Sequence, residues 1–134
     1  MKALALDLGR ARTGVAVTDP TGTLVRPLQV IREIDRAEGT AELDAVIARE
    51  QPDVIVIGQP LLMSGDAGEQ AHHASSFAGR LRRRVDARVV LIDERMSTAE
   101  AERRARETGS STDIDSLAAC VILEAWLAAG KEAA

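Results

Sequence analysis

Apolar positions fall into two periodicities along the chain, and their alternation predicts its elements. Ala3 to Leu8 is a short apolar run that carries Asp7 near its end, Gly9-Arg10-Ala11-Arg12-Thr13-Gly14 follows, and Val15 to Val17 reads as a second strand closing on Asp19. The three pieces form a hairpin with glycine at both ends of its loop. Asp19-Pro20-Thr21-Gly22 has turn composition, and Thr23 to Ile31 reads as a third strand. Pro27 interrupts that strand and donates nothing to a ladder, which places it at a sheet edge. Helical spacing then takes over from Asp35 to Glu50, where Ala41, Leu43, Val46 and Ile47 share one face, and it ends before Pro52.

Val54 to Ile57 is an unbroken β-branched run, as expected of a strand covered on both faces, and Gly58-Gln59-Pro60 stops it. A helix follows in which Ala71, Ala74, Phe77, Ala78, Leu81 and Val85 form one stripe, with its arginines mostly off that stripe. Val89 to Ile92 is the fifth strand, and Asp93-Glu94-Arg95 follows at once. Ser97 with Glu100 is a capping box for a short helix reaching Glu107 and closed by Gly109. The last helix runs from Thr112 to Ala129, with Ile114, Leu117, Ala118, Val121, Ile122 and Ala125 as its buried stripe and Asp115 beside it in the first turn. The order predicts an α/β fold: a mixed five-stranded sheet, an antiparallel meander of three strands plus two parallel strands reached by right-handed crossovers, with helices on both faces.

That topology sets strand one beside strand four and strand five beyond it. Asp7 and Glu94 then end their strands at one sheet edge, where α/β folds take ligands, and Asp115 completes the set from the last helix. Three converging carboxylates repel one another unless cations lie between them, and all-oxygen donors suit Mg²⁺ or Mn²⁺. Two such ions about 3.5 to 4 Å apart are the arrangement for phosphodiester hydrolysis. Each acid also has a local account. Asp7 fits a strand-end turn, Glu94 an ion pair with Arg95 or Arg88, and Asp115 a capping box with Thr112.

Charge narrows the picture only where it is unevenly spread. The balance of 17 basic against 21 acidic residues, net −4, speaks against a chain coated in nucleic acid. Yet Arg80, Arg82, Arg83, Arg84 and Arg88 crowd one segment, and Arg10 with Arg12 occupies the hairpin loop. Such a run is either a solvated helix end or a phosphate track. The single cysteine, Cys120, lies in an apolar helical pattern and reads as core; it excludes an internal disulfide or a cysteine zinc site. No apolar run approaches a membrane span and no signal-like segment opens the chain, so the cytoplasm is the expected compartment. His72 and His73 point to different sides of a helix and read as surface residues.

Four blocks in order resemble the YqgF/RuvX family of the ribonuclease-H-like superfamily, which also holds the RuvC Holliday-junction resolvases. They are Asp7 to Asp19, Gly58-Gln59-Pro60, Asp93-Glu94-Arg95-Met96-Ser97-Thr98, and Ile114-Asp115-Ser116-Leu117-Ala118-Ala119. The resemblance covers nearly the whole chain and implies one ribonuclease-H-like nuclease domain over residues 1–134. It implies an acidic site of Asp7, Glu94 and Asp115 holding Mg²⁺ or Mn²⁺, and a nuclease that matures the 5′ end of pre-16S rRNA. Holliday-junction cleavage is the alternative.

Arg10, Arg12, Arg80, Arg83, Arg84 and Arg95 are then the expected nucleic-acid contacts, with pre-rRNA or branched DNA as partner and a monomer or homodimer as the assembly. Gln59 stands where the family commonly has Leu, Ser97 where it has Thr, and Ser110 to Asp113 lacks the basic residues many members carry, which weakens phosphate contact there. Two rivals from other classes stay in view. A phosphotransferase of the actin and sugar-kinase kind also turns on Asp-x-Gly but wants a second lobe, and a non-catalytic RNA-binding module needs no metal at the acids.

Overall fold

Strand alternation sorts the side chains of one five-stranded sheet onto two faces, and each face is covered by helices of different character. The computed structural model describes residues 1–59, 68–93 and 114–130. In chain order the elements are β1 (Ala3–Asp7), β2 (Arg12–Thr18), β3 (Val25–Arg32), α1 (Ala37–Glu50), β4 (Val54–Gln59), α2 (Glu69–Arg82), β5 (Arg88–Asp93) and α3 (Ile114–Ala128). The sheet order is β3-β2-β1-β4-β5, with β1 to β3 antiparallel and β4 and β5 parallel to β1, as the pattern predicts. Pro27 lies on the edge strand β3, where its missing N–H costs no ladder bond to a further strand.

On one face Leu4, Leu6, Val15, Val17, Ile55 and Ile57 pack against Leu43 and Val46 of α1 and Phe77, Ala78 and Leu81 of α2. On the other, the small residues Ala3, Ala5 and Ala16 let α3 lie close, and Ile122, Leu123 and Trp126 fill the space above them. Cys120 is buried in that second layer, as expected. No helix among the described residues is long and apolar enough to cross a membrane.

The structure departs from the sequence pattern at several places. The second strand begins at Arg12, because Arg12, Thr13 and Gly14 pair with Arg32, Ile31 and Val30 before a register shift. The fourth strand continues through Gly58 and Gln59, which pair with Ile92 and Asp93. The third difference is rotational: α3 buries Ser116, Ala119, Leu123 and Trp126, whereas Ile114 and Ala125 are exposed. The helix is apolar on nearly every side, so its periodicity carries little directional information, and the large Trp126 ring decides which side turns inward.

Helix α1 starts at Ala37, two residues later than expected, because Glu33 to Arg36 form a turn closed by the Arg36 N–H donating to the Glu33 carbonyl at 2.9 Å. Gly39 permits this turn, since a Cβ there would run into the Glu33 carbonyl.

Candidate functional site

Parallel pairing brings the C-terminal ends of β1, β4 and β5, at Asp7, Gln59 and Asp93, to one edge of the sheet. Across the antiparallel ladder, Asp7 is paired with Gly14. Alternation puts Asp7 on the same face as Ala3 and Ala5, and Arg12 and Gly14 on the same face as Ala16, which is the face that α3 covers.

Gly14 is where that helix touches the sheet. A Cβ built on it would overlap the carbonyl of Asp115 and come within 2.9 Å of the Ser116 nitrogen. The first turn of α3 therefore rests on bare backbone, at the residue facing Asp7, and no side chain larger than hydrogen fits between them. Ser116 Oγ donates to the Gln29 carbonyl at 3.3 Å and ties the same turn to β3.

Arg12, two residues before Gly14 on the same face, donates to Asp115 Oδ2 from Nε at 2.8 Å and from Nη2 at 2.6 Å. The two side chains are 46% and 32% exposed, so the pair contributes no more than about 1 kcal/mol to stability. Its importance is geometric, because it holds a cationic fork against a site acid. Asp115 also lies in the first turn of α3, where the helix dipole favours a negative charge.

The other predicted contacts are distributed differently. Glu94 and Arg95 lie outside the described residues, as do the Ser97–Glu100 capping box and its short helix. Arg10 pairs with Glu69 at 2.7 Å, Arg80 with Asp35 at 3.0 Å and Arg84 with Asp44 at 2.9 Å, while Arg83 is exposed at the C-cap of α2. Of the predicted nucleic-acid contacts among the described residues, only Arg12 is joined to a predicted site acid. Arg80 of α2 meets Asp35 in the turn before α1, Arg84 just after α2 meets Asp44 of α1, and Arg82 donates to the Val89 carbonyl of β5.

Two participants were invisible to sequence reasoning. Asp35, read as a helix start, accepts from Arg80 and is 2.9 Å from His73 Nε2, partners 45 and 38 residues away. Gly14 carried a turn signal, but nothing in the sequence marks its contact with a residue beyond β5. Two carboxylates away from this edge are held by local bonds. Bonds from the Thr21 hydroxyl and the Leu24 and Thr23 amides pull Asp19 down to about 2. Lys2, at 2.9 Å, is the main cause holding Glu50 below the usual range. A cleft of about 530 Å³ also lies away from these acids, between the C-terminal end of α1 and the connection into β5.

Among the described residues no three His, Cys, Asp or Glu side chains gather to hold a metal. They do bring two acids to Gly14, Asp7 as its ladder partner and Asp115 through the backbone carbonyl packed on it. A donor set of oxygens alone fits a hard cation such as Mg²⁺ or Mn²⁺ and is a poor match for Zn²⁺.

The fold is that of the ribonuclease-H-like resolvases. T. thermophilus RuvC in complex with Holliday junction substrate aligns with a TM-score of 0.61 at 16% identity, covering 99% of this chain and 98% of that one. The fowlpox virus resolvase in complex with substrate Holliday junction DNA aligns at 0.59 and 10% identity, covering 96% and 98%. Those identities speak to fold alone.

Sequence carries the relationship further. Residues 1–129 match the RuvX family, described as Holliday junction resolvase. A protein of Anaeromyxobacter sp. (strain Fw109-5) named "Putative pre-16S rRNA nuclease" is 42% identical over 132 residues, 95% of this chain and 96% of its own length. A Synechococcus sp. (strain JA-3-3Ab) protein of the same name is 41% identical over 130 residues, covering 93% of this chain and 82% of its own. The chain belongs to the RuvX family of nucleases.

Proposed function

We propose that this nuclease hydrolyses phosphodiester bonds in maturing the 5′ end of pre-16S rRNA, with Asp7, Glu94 and Asp115 as its acidic site and Mg²⁺ or Mn²⁺ as its cofactor. The observation that supports the site is the seating of Asp115 on Gly14, the ladder partner of Asp7. This supports bringing together two acids from distant parts of the chain, each of which adjoins Gly14. Glu94, next in the chain after the last residue of β5, is the third.

Bound divalent ions would supply a hydrolytic nucleophile at neutral pH and offset charge on the phosphate. The chain's own part is positional. Asp7 is set by a central strand, and Asp115 by the contact of α3 with bare backbone. Arg12 offers a positive charge beside them for a substrate phosphate. Arg10, Arg80, Arg83, Arg84 and Arg95 supply the sequence-independent charge that draws a nucleic-acid backbone to the edge.

Phe77 and Trp126, the two aromatics besides histidine, are buried in the core and offer bases no stacking platform. Backbone and shape must therefore carry the choice of substrate.

The family's description supports a second reading, cleavage of four-way DNA junctions, which needs two active sites related by a two-fold axis. A direct competition separates the two. Protein with Mn²⁺ is offered a labelled pre-rRNA 5′ leader and a four-way DNA junction, with Asp7→Asn as the blank and light scattering for the assembly. Cleavage of the leader by the native protein alone is the expected result. Paired symmetric nicks in the junction by a dimer, with the RNA intact, would establish the resolvase reading, and no cleavage of either would leave a binding module.

A further inference from the structure

Arg12 directs two N–H groups at one oxygen of Asp115, from 2.8 and 2.6 Å. A divalent ion that takes this carboxylate must contend with a guanidinium that stays charged at any ordinary pH. The two cations cannot both be close partners of the same oxygen without strong repulsion. Arg12 is 46% exposed and its pair is not buried in the core, so its guanidinium is accessible to a phosphate. A planar fork that fits a carboxylate also fits a phosphate.

We propose that Arg12 is the resident counter-ion of Asp115 and moves from that carboxylate to a substrate phosphate when a divalent ion arrives. Ion and nucleic acid then bind with positive coupling: the ion frees the fork for the phosphate, and the phosphate keeps the fork off the ion's ligand. By linkage each raises the affinity of the other by the same factor. In the absence of nucleic acid the fork holds ion affinity down, which keeps the site from being fully loaded before substrate is present. This inference rests on the proposed acidic site. The competing account makes Arg12 a fixed pin that orients Asp115, and it predicts the opposite sign for ion binding.

Mn²⁺ titration by calorimetry on the native protein, Arg12→Gln, Arg12→Lys and Asp7→Asn, each with and without a short hydrolysis-resistant phosphorothioate RNA strand, decides between them. Without RNA, Arg12→Gln is expected to bind Mn²⁺ about five-fold tighter than the native protein, the scale of one partly exposed ion pair. RNA is expected to tighten Mn²⁺ binding several-fold in the native protein and to have little effect in the variant. Arg12→Lys keeps the charge without the fork and should fall between them. It carries the test alone if Arg12→Gln loses its native circular dichroism. Equal or weaker Mn²⁺ binding in the Arg12 variants, with binding still dependent on Asp7, would overturn the exchange and leave the site standing. Binding that ignores Asp7→Asn would overturn the site, and the exchange with it.

Discussion

The carbonyl of Asp115 occupies the space that a side chain on Gly14 would need. This contact joins the last described helix to the second strand at the residue paired with Asp7, so a missing side chain sets the spacing between two predicted site acids. Gly14→Ala should therefore push the first turn of α3 off the sheet, at a cost of about 1–3 kcal/mol. Urea melting should show a lower midpoint, and Mn²⁺ titration a weaker site. A variant that melts like the native protein and binds Mn²⁺ equally would mean that the helix tolerates displacement there.

Substituting the acids should separate stability from activity. Asp7→Asn keeps the size of the side chain and removes its charge, so the variant should stay folded while cleavage falls to that of the native protein without divalent ions. Asp115→Asn also loses the Arg12 pair and should cost up to about 1 kcal/mol. Thermal melts beside a cleavage assay check both. Retained cleavage in Asp7→Asn would remove that residue from the site.

Arg80 and Arg84 are paired with Asp35 and Asp44, and a phosphate must compete for them. If they form a track, Arg80→Ala and Arg84→Ala should each lower the slope of log affinity against log salt by about 0.7 for a single strand. Binding isotherms of a labelled RNA at several salt concentrations measure this. Unchanged slopes would assign the two residues to holding the helices together through Asp35 and Asp44.

Acid should loosen the fold from the edge opposite the site, where β1 begins and β2 ends. Asp19 is held at about 2 against an ordinary 3.8, and Glu50 is also lowered. A depressed folded-state value contributes stability that is complete above the unfolded value and is lost as pH falls through the folded one. For Asp19 that window runs from near 4 down to about 2. Denaturant midpoints at pH 7, 4 and 2.5 should fall across it, with a smaller drop in Asp19→Asn. An equal drop in both proteins would place the acid sensitivity elsewhere.

Short-range pattern determined much of this protein. Alternating and continuous apolar runs located five strands, Pro27 marked the edge, and the stripe of α2 matched its buried face through Ala71, Phe77 and Leu81. These features depend on neighbours within a few residues, so they are written locally. The resemblance of four blocks pointed to the family, and Asp7 and the backbone of Asp115 both adjoin Gly14. The tertiary structure alone decided which side of α3 turned inward, because a helix apolar all round leaves that choice to the fit of Trp126. It also decided that Gly14 is a contact point and that Arg12 grips Asp115 across 103 residues of sequence. Periodicity is blind to such pairs, since only the packing of α3 on the sheet brings their atoms within reach.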